Sequence, residues 1–268
     1  MAPARRESAI SWVLGGGCLG AFIGPLLARE SQNLLVAPFA GAYLLLIFVA
    51  LAGLVLISLI DFPPLVQPRP GEGGRSTRAL MRQPVFLVAL AASALGYGVM
   101  NLLMAATPIA MAQCGLPFGD AGLVLQWHVL GMFVPSFFTG ALIKRVGVLP
   151  VMAAGLLLNL GCIAFALAGQ DLTHFLGALL LLGVGWNFLY IGGTTLFTQA
   201  YRPEEKTRAQ GLLDTGVYTV MTLTSFSSGA LVTSGGWQWM NLASLVPLGL
   251  CAAALAFLAL RQRPASSA

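Results

Sequence analysis

Long apolar runs, separated by short polar and charged segments, dominate the chain. Eight of these runs are close to 20 residues or longer, and they cover residues 9–28, 39–60, 85–113, 121–143, 149–168, 174–197, 212–234 and 242–260. A bilayer core about 30 Å thick requires roughly 20 apolar residues for one helical crossing. The pattern therefore predicts an all-α integral membrane protein with about eight transmembrane helices, called spans 1 to 8 below.

Composition and charge support this fold class. Hydrophobic residues make up 57% of the 268, charged residues only 9%, and the mean hydropathy is +0.85, whereas a soluble chain carries about 25% charged residues. If the N-terminus is inside, all of the 14 Lys and Arg residues except Arg29 fall on the inner face. Because cytoplasmic loops carry the excess of Lys and Arg, we predict a multi-pass protein of the bacterial cytoplasmic membrane with both termini in the cytoplasm. No nucleic-acid partner is expected, since the positive charge is explained by these loops.

The start of the chain has a second interpretation. Arg5 and Arg6 precede an apolar run, which is also the pattern of a signal peptide. The run is long for a signal peptide and contains several spaced glycines, so a transmembrane helix is the favoured interpretation.

A short internal repeat relates the first two spans to the last two. Residues 3–9 resemble residues 203–209, with proline and alanine at matching positions, and Gly16 and Gly216 have the same offset of 200. Each copy precedes two apolar spans and then a basic stretch. The match indicates that spans 1 and 2 correspond to spans 7 and 8, and that the repeating unit has six helices.

This repeat predicts the domain organisation. Residues 1–60 hold the last two helices of an N-terminal half, and residues 85–268 hold a complete six-helix C-terminal half. Residues 61–84, rich in proline, glycine and arginine, form a cytoplasmic linker between the halves. We expect four further helices upstream of Met1.

Two six-helix halves joined by a basic loop are the plan of the major facilitator superfamily (MFS), which this chain resembles along its whole length. The loop between spans 4 and 5 is similar to the family's cytoplasmic loop signature, with Gly140, Lys144, Arg145 and Gly147 at the signature positions. The family commonly continues with further basic residues, where this chain has valine and leucine. The resemblance implies that this loop contributes to a cytoplasmic gate, and we expect Asp214, at the cytoplasmic start of span 7, to bond there too.

Two further segments resemble branches of the family. Gly16, Gly20, Gly24 and Pro25 of span 1 are similar to the glycine–proline signature of the fifth helix in antiporter branches. Tight helix packing through small residues is the other interpretation and the one we favour. Residues 126–140 resemble a bacterial branch that includes proposed riboflavin transporters.

The resemblance also implies which spans face lipid. In this family the third and sixth helices of each half are peripheral, which here are spans 2, 5 and 8, and the first and fourth line a central cavity, which here are spans 3 and 6. Polar side chains follow this order, because the peripheral spans carry few and spans 3 and 6 carry stripes at helical spacing. The stripes are Ser93, Tyr97 and Asn101 in span 3 and Asn187, Tyr190 and Thr194 in span 6.

Each candidate for the solute pathway has a structural alternative. The candidates are Tyr97, Asn101, His128, Asn187, Tyr190 and Thr194. Polar groups inside a membrane face protein or water, so the two asparagines and Tyr190 either line a pathway or bond between helices. The two tyrosines could stack with Trp186 against a flat solute, although packing is the simpler role for the tryptophan. His128 is either a proton relay or a neutral, hydrogen-bonded structural group.

The same residues limit the chemistry. The chain has no phosphate-binding Gly-x4-Gly-Lys-[Ser/Thr] motif, so the expected function is secondary transport of a small solute by alternating access. The acidic residues lie in loops or at span ends, which leaves open coupling to an ion such as H⁺, to another ion, or uniport. Two separated histidines do not form a metal site, and no cofactor is expected. The alternatives are a non-transporting or pore-forming membrane protein and an intramembrane enzyme.

Overall fold

The computed structural model describes residues 16–17, 19–20, 22–61 and 74–262. These residues form helices joined by short turns, which confirms the all-α class. The helices are residues 22–31, Ala40–Ser58, Thr77–Met81, Pro84–Gln113, Phe118–Phe133, Ser136–Val146, Val148–Ala168, Leu172–Phe197, Lys206–Ala243 and Leu245–Gln262, with a 3-10 turn at Pro203–Glu205. Residues 3–9 of the repeat and most of the proposed linker lie outside the described residues, so the domain boundaries stay predictions.

Four of the predicted spans are single helices. Spans 2, 3, 5 and 6 are Ala40–Ser58, Pro84–Gln113, Val148–Ala168 and Leu172–Phe197, and each is long and apolar enough to cross a membrane. Span 3, with 30 residues, contains Pro108 without ending there.

Span 4 is bent. Its two helices, Phe118–Phe133 and Ser136–Val146, meet at an angle of 41°. Pro135 lies at the break, where its ring removes one backbone N–H and clashes with the preceding turn. The apolar pattern over 121–143 predicted one uninterrupted span here.

Spans 7 and 8 follow each other without a connecting loop. A straight helix from Pro203 to Gln262, which is 60 residues, would be about 90 Å long, three times the bilayer core. Gly236 breaks it with a φ of 75° and a ψ of 175°, a conformation that costs glycine little because it has no Cβ. The helix of span 7 begins at Lys206, six residues before the predicted start at 212.

Span 3 lies at the centre of the bundle. In their most apolar stretches, 67% of the residues of span 3 and 56% of span 6 are buried, against 39% in span 5 and 6% in span 2. Spans 3 and 6 run antiparallel, since Ser93 lies against Gly193 and Gly96 against Leu189. This ranking places the two spans with the polar stripes in the interior.

Span 7 packs beside span 3 in the same direction. Leu90 lies against Gly216 near the start of both helices, and Asn101 bonds to Ser225 further along both. Parallel helices begin on the same side of a membrane. The relative directions of spans 3, 6 and 7 therefore agree with the predicted orientation, in which each span crosses the membrane in the direction opposite to the one before it.

Span 1 is antiparallel to span 4. Gln126 Nε2 donates to the carbonyl oxygen of Phe22 at 3.0 Å, and Gly17 lies against Phe133. The described part of span 1 therefore lies against span 4.

Candidate solute pathway

Three aromatic rings form a cluster between spans 3 and 6. The rings of Trp186 and Tyr190 are stacked, with centroids 5.0 Å apart and planes 10° apart. Tyr97 meets both of them edge to face, at 5.4 Å from Trp186 and 5.5 Å from Tyr190. Trp186 is 8% exposed, whereas the two tyrosines are only half-buried. The arrangement presents two tyrosine rings beside a buried tryptophan, and we call it the aromatic triad.

Span 7 adds a fourth aromatic residue, which the sequence analysis did not select. Tyr218 is 64% exposed, and it lies on the helix that packs against span 3 at Gly98, the residue after Tyr97. It lines a groove of about 540 Å³ with Asp214, Thr215, Thr219, Thr222 and Leu223. The threonines and Tyr218 recur at helical spacing, which is the signal in the sequence that could have indicated this face.

Asn101 bonds between helices. It is 5% exposed, and its amide nitrogen donates to the carbonyl oxygen of Met221 at 3.2 Å, to Thr224 at 3.1 Å and to Ser225 at 2.8 Å. The two roles left open for this residue were lining a pathway and bonding between helices. In the structure it bonds between spans 3 and 7.

Asn187 is also bonded within the bundle. Its side chain is fully buried and donates to the carbonyl oxygen of Met132 at 2.6 Å and to Ser136 at 2.5 Å. It accepts a hydrogen bond of 2.7 Å from Thr139. These bonds join span 6 to both helices of span 4 at the Pro135 bend.

Thr194 and His128 are held by backbone oxygens. The Thr194 hydroxyl donates to its own helix, at 2.9 Å from the carbonyl oxygen of Tyr190 and 3.1 Å from that of Ile191. His128 is fully buried, with Nδ1 2.8 Å from the carbonyl oxygen of Leu179. Its Nε2 has no partner among the described residues, so the ring contacts span 6 through one nitrogen.

The signature loop between spans 4 and 5 is exposed. Gly140, Lys144 and Arg145 lie on the surface, and Gly147, with a φ of 95°, separates Ser136–Val146 from Val148–Ala168. No ion pair of Lys144 or Arg145 occurs within the part of the chain that the structure describes. A gate role for the loop therefore stays a prediction.

Asp214 lies deeper in its helix than the sequence analysis expected. Because the helix of span 7 begins at Lys206, Asp214 is two turns inside it. Its Oδ1 accepts a hydrogen bond of 2.8 Å from Gln210 Nε2, and its side chain faces the groove. Asp214 thus lines the same groove as Tyr218, and its bonding at a cytoplasmic gate stays a prediction.

The glycines of span 1 make few contacts. A Cβ atom added at Gly16, Gly20 or Gly24 would meet no described atom within 4 Å, while Pro25 lies 4.0 Å from the position of such an atom at Gly122. Packing through these three glycines stays a prediction.

A charged cluster at the start of span 3 was also missed. The buried carboxylate of Glu205 accepts hydrogen bonds from Arg75 and from the backbone N–H of Arg202. Arg75 Nη2 and Gln83 Nε2 both donate to the carbonyl oxygen of Ala200, at 3.1 and 3.0 Å. The hydrogen bonds from Arg75 hold the pKa of Glu205 well below its usual range, and the same bonds raise the pKa of Arg75. We call this cluster the linker anchor.

Comparison with known proteins gives consistent matches. A family model described as Major Facilitator Superfamily matches residues 88–268. The riboflavin transporter RfnT of Brucella anthropi is 39% identical over 240 residues, which are 88% of this chain and 60% of that protein. YdeG of Bacillus subtilis, an uncharacterised MFS-type transporter, is 30% identical over 250 residues, 85% of this chain and 56% of that protein. These matches confirm the resemblance found in the loop signature and helix order.

A solved structure shares the fold. The crystal structure of a bacterial homologue of the iron transporter ferroportin, in an outward-facing state, aligns with a TM-score of 0.61 and 19% identity over 96% of this chain and 65% of that chain. At this identity the likeness concerns the fold alone. The chain spans 56–60% of the length of the two curated relatives.

Proposed function

Because this chain belongs to the Major Facilitator Superfamily, we propose that it forms the larger part of a secondary transporter that moves a small solute by alternating access. In this mechanism two half-bundles rock around a site near the middle of the bilayer. Spans 3, 6 and 7 supply one wall of that site. The observation that carries the proposal is the aromatic triad, beside which span 3 packs against span 7, the helix with the exposed groove.

The chemistry of this wall favours a flat, partly apolar solute. Stacked and edge-on aromatic rings provide large contact areas for another planar ring, and Trp186 holds the ring of Tyr190 in a fixed stacked position. The relative from Brucella anthropi is named a riboflavin transporter, and riboflavin has a planar three-ring system. We therefore take riboflavin as the first solute to test.

The rest of the pathway would come from a second wall. We propose that a complete transporter has two six-helix halves, of which residues 85–268 form one, and that residues 61–84 link them. The membrane would be the bacterial cytoplasmic membrane, with both termini inside, because all Lys and Arg residues except Arg29 then fall on the inner face. Coupling to an ion such as H⁺ is a further prediction of this mechanism.

The test is uptake of radiolabelled riboflavin by proteoliposomes that contain the full-length protein. We expect saturable uptake and accelerated exchange when unlabelled riboflavin is present inside. Flux that rises linearly with concentration and shows no exchange would indicate a pore and would overturn the proposal.

Two variants test the assigned wall. Tyr190→Ala removes the stacked ring, and we expect KM for the solute to rise by about 2- to 10-fold. Asn159→Ala, in span 5, is the control, because the one hydrogen bond of its side chain among the described residues is to the carbonyl oxygen of Gly155 in its own helix. Equal effects of the two substitutions would contradict the assignment.

A further inference from the structure

The groove of span 7 carries a row of polar side chains on a largely apolar surface. Asp214, Thr215, Tyr218, Thr219 and Thr222 line it together with Leu223. They occupy about two turns of one helix face, and Tyr218 at the centre of this face is mostly exposed. Polar groups at membrane depth require a protein or water partner, so this face is suited to contact another polar surface or a solute.

The threonine hydroxyl groups of the groove offer acceptors rather than donors, while the phenol of Tyr218 can do both. Thr215 donates its proton to the carbonyl oxygen of Gly211 at 2.7 Å, and Thr219 donates to that of Thr215 at 2.7 Å. Thr222 donates to the carbonyl oxygen of Tyr218 at 2.8 Å. A hydroxyl group has one proton and two acceptor positions. Each threonine therefore presents lone pairs to the groove.

Asp214 adds a carboxylate to these acceptors. Its Oδ1 accepts from Gln210, and a carboxylate keeps several acceptor positions beyond one such bond. Within the described ranges, Asp214 takes part in no ion pair. The groove thus combines acceptor oxygens with a negative charge that no described cation neutralises.

Span 7 packs against span 3 next to the aromatic triad. Gly98, the residue after Tyr97, lies against Val220, and Asn101, one turn after Tyr97, donates to the carbonyl oxygen of Met221. The acceptor surface of span 7 therefore lies on a helix that contacts the triad's own helix beside Tyr97. A solute bound to both would have a planar ring and an attached group rich in hydrogen-bond donors.

We propose that the groove of span 7 is a subsite for the uncharged or cationic, donor-bearing part of the solute, and that Asp214 excludes anionic solutes. This inference rests on the proposed function. Hydroxyl and N–H groups of a solute donate to the threonine oxygens and to the carboxylate, whereas a phosphate ester at the same position is repelled by the carboxylate. For a flavin, the hydroxylated side chain occupies the groove, and its 5′-phosphate ester is rejected.

The experiment measures competition for riboflavin uptake in proteoliposomes of the full-length protein. Unlabelled riboflavin and riboflavin 5′-phosphate are the two inhibitors, and we expect the ester to inhibit at least about tenfold more weakly. In Asp214→Asn the ratio of the two inhibition constants, ester over riboflavin, falls toward one, because the repelling charge is gone. Glu204→Gln is the charge-matched control, since Glu204 is an exposed acid outside the groove, and its ratio stays at the wild-type value.

A second pair of variants does not depend on the carboxylate. Thr219→Val removes an acceptor with little change of volume, and we expect a few-fold rise in the KM for riboflavin. Thr233→Val is its control, because Thr233 is an exposed threonine of the same segment that also donates to its own helix, at 2.7 Å from the carbonyl oxygen of Gly229, but lies outside the groove.

The outcomes separate the two proposals. Saturable riboflavin uptake with equal inhibition by both compounds, or with an unchanged ratio in Asp214→Asn, would overturn the subsite and leave the transport proposal standing. The absence of any saturable riboflavin uptake would overturn the proposed solute, and the subsite with it. The subsite is supported if the ester and riboflavin inhibit Asp214→Asn about equally while Glu204→Gln keeps the wild-type difference between them.

Discussion

Arg75 holds Glu205 by three hydrogen bonds, although the two residues are 130 positions apart in the chain. The backbone nitrogen and Nε of Arg75 donate to Oε1 at 2.7 and 2.8 Å, and Nη2 donates to Oε2 at 2.7 Å. The Glu205 side chain is fully buried, while that of Arg75 is 32% exposed. Paired, two-pronged contacts of this kind are among the stronger ion pairs in proteins. The pair fixes the end of the linker against the loop that precedes span 7.

Acid should weaken this pair. The folded-state pKa of Glu205 is lowered by Arg75, so its carboxylate stabilises the protein above the unfolded-state pKa of about 4.3. That contribution is lost as the pH falls from there through the folded-state pKa. We expect Glu205→Gln to unfold at a lower temperature than the wild type at pH 7, and the difference between the two to shrink as the pH falls below about 4.3.

The measurement is thermal unfolding in detergent from pH 7 to pH 3. Asp171, whose pKa is lowered by its hydrogen bond to His174, is present in both proteins and does not affect the difference. Glu204→Gln, at the exposed neighbouring acid, should follow the wild-type curve. A difference between Glu205→Gln and wild type that is the same at every pH would show that the pair contributes no pH-dependent stability.

Span 5 should tolerate a methyl group at one glycine and not at another. A Cβ atom at Gly155 would lie 2.8 Å from the carbonyl oxygen of Gly185 and 2.9 Å from the backbone nitrogen of Leu189. Backbone atoms cannot move aside, so Gly155→Ala should lower the free energy of unfolding by about 1–3 kcal/mol. At Gly161 the nearest atom is Leu181 Cδ1 at 3.7 Å, an ordinary contact.

Denaturant titration of both variants in detergent micelles checks this prediction. Gly161→Ala should be close to the wild type, because its methyl group fits the available space. If Gly155→Ala is equally stable, spans 5 and 6 do not approach each other as closely as the structure indicates.

The spans could be predicted because every helix that crosses the lipid core needs a run of roughly 20 apolar residues. Breaks within helices were harder to predict. Pro135 has a chemical reason to bend span 4, but Gly236 is one of 32 glycines, and a sequence does not show which of them adopts a positive φ. The start of span 7 at Lys206 was missed because charged residues were assigned to a loop, whereas a helix can extend beyond the bilayer with charged side chains on it.

The candidate site was predicted in part. Tyr97 and Tyr190 stand out as polar residues in apolar runs, and the structure brings them together. Tyr218 did not stand out, since span 7 is rich in hydroxyl groups along most of its length. Threonines inside and outside the groove, such as Thr219 and Thr233, also bond to their own helix in the same way. The pair of Arg75 and Glu205 could not be predicted, because nothing local to either residue indicates a partner 130 positions away.

Asn187 should stabilise the bend in span 4. It bonds to Met132, Ser136 and Thr139 on both sides of Pro135, so Asn187→Ala removes three hydrogen bonds between spans 4 and 6. We expect a loss of about 1–2 kcal/mol in the free energy of unfolding.

Asn159→Ala is the matched control in the same titration. Asn159 is also buried, but within the part of the chain that the structure describes its side chain bonds only to its own helix, at 2.9 Å from the carbonyl oxygen of Gly155. If both alanine variants lose the same stability, the bonds of Asn187 between spans 4 and 6 contribute nothing beyond those within a helix.

The orientation in the membrane can be tested with cysteine labelling. Cys114 is exposed at the end of span 3, while Cys162 and Cys251 are buried. With the N-terminus inside, the end of span 3 is outside, because span 3 is the third crossing and the Lys and Arg bias sets the direction. In a Cys18→Ala background, Cys114 should therefore react with a membrane-impermeant maleimide in intact spheroplasts.

The control is Cys18→Ala/Cys114→Ala/Lys144→Cys. Its exposed cysteine lies at the end of span 4 that is farther from Cys114, and it should react only after the membrane is opened. The reverse labelling pattern would show that the chain is inserted in the opposite direction, and the signature loop could then no longer belong to a cytoplasmic gate.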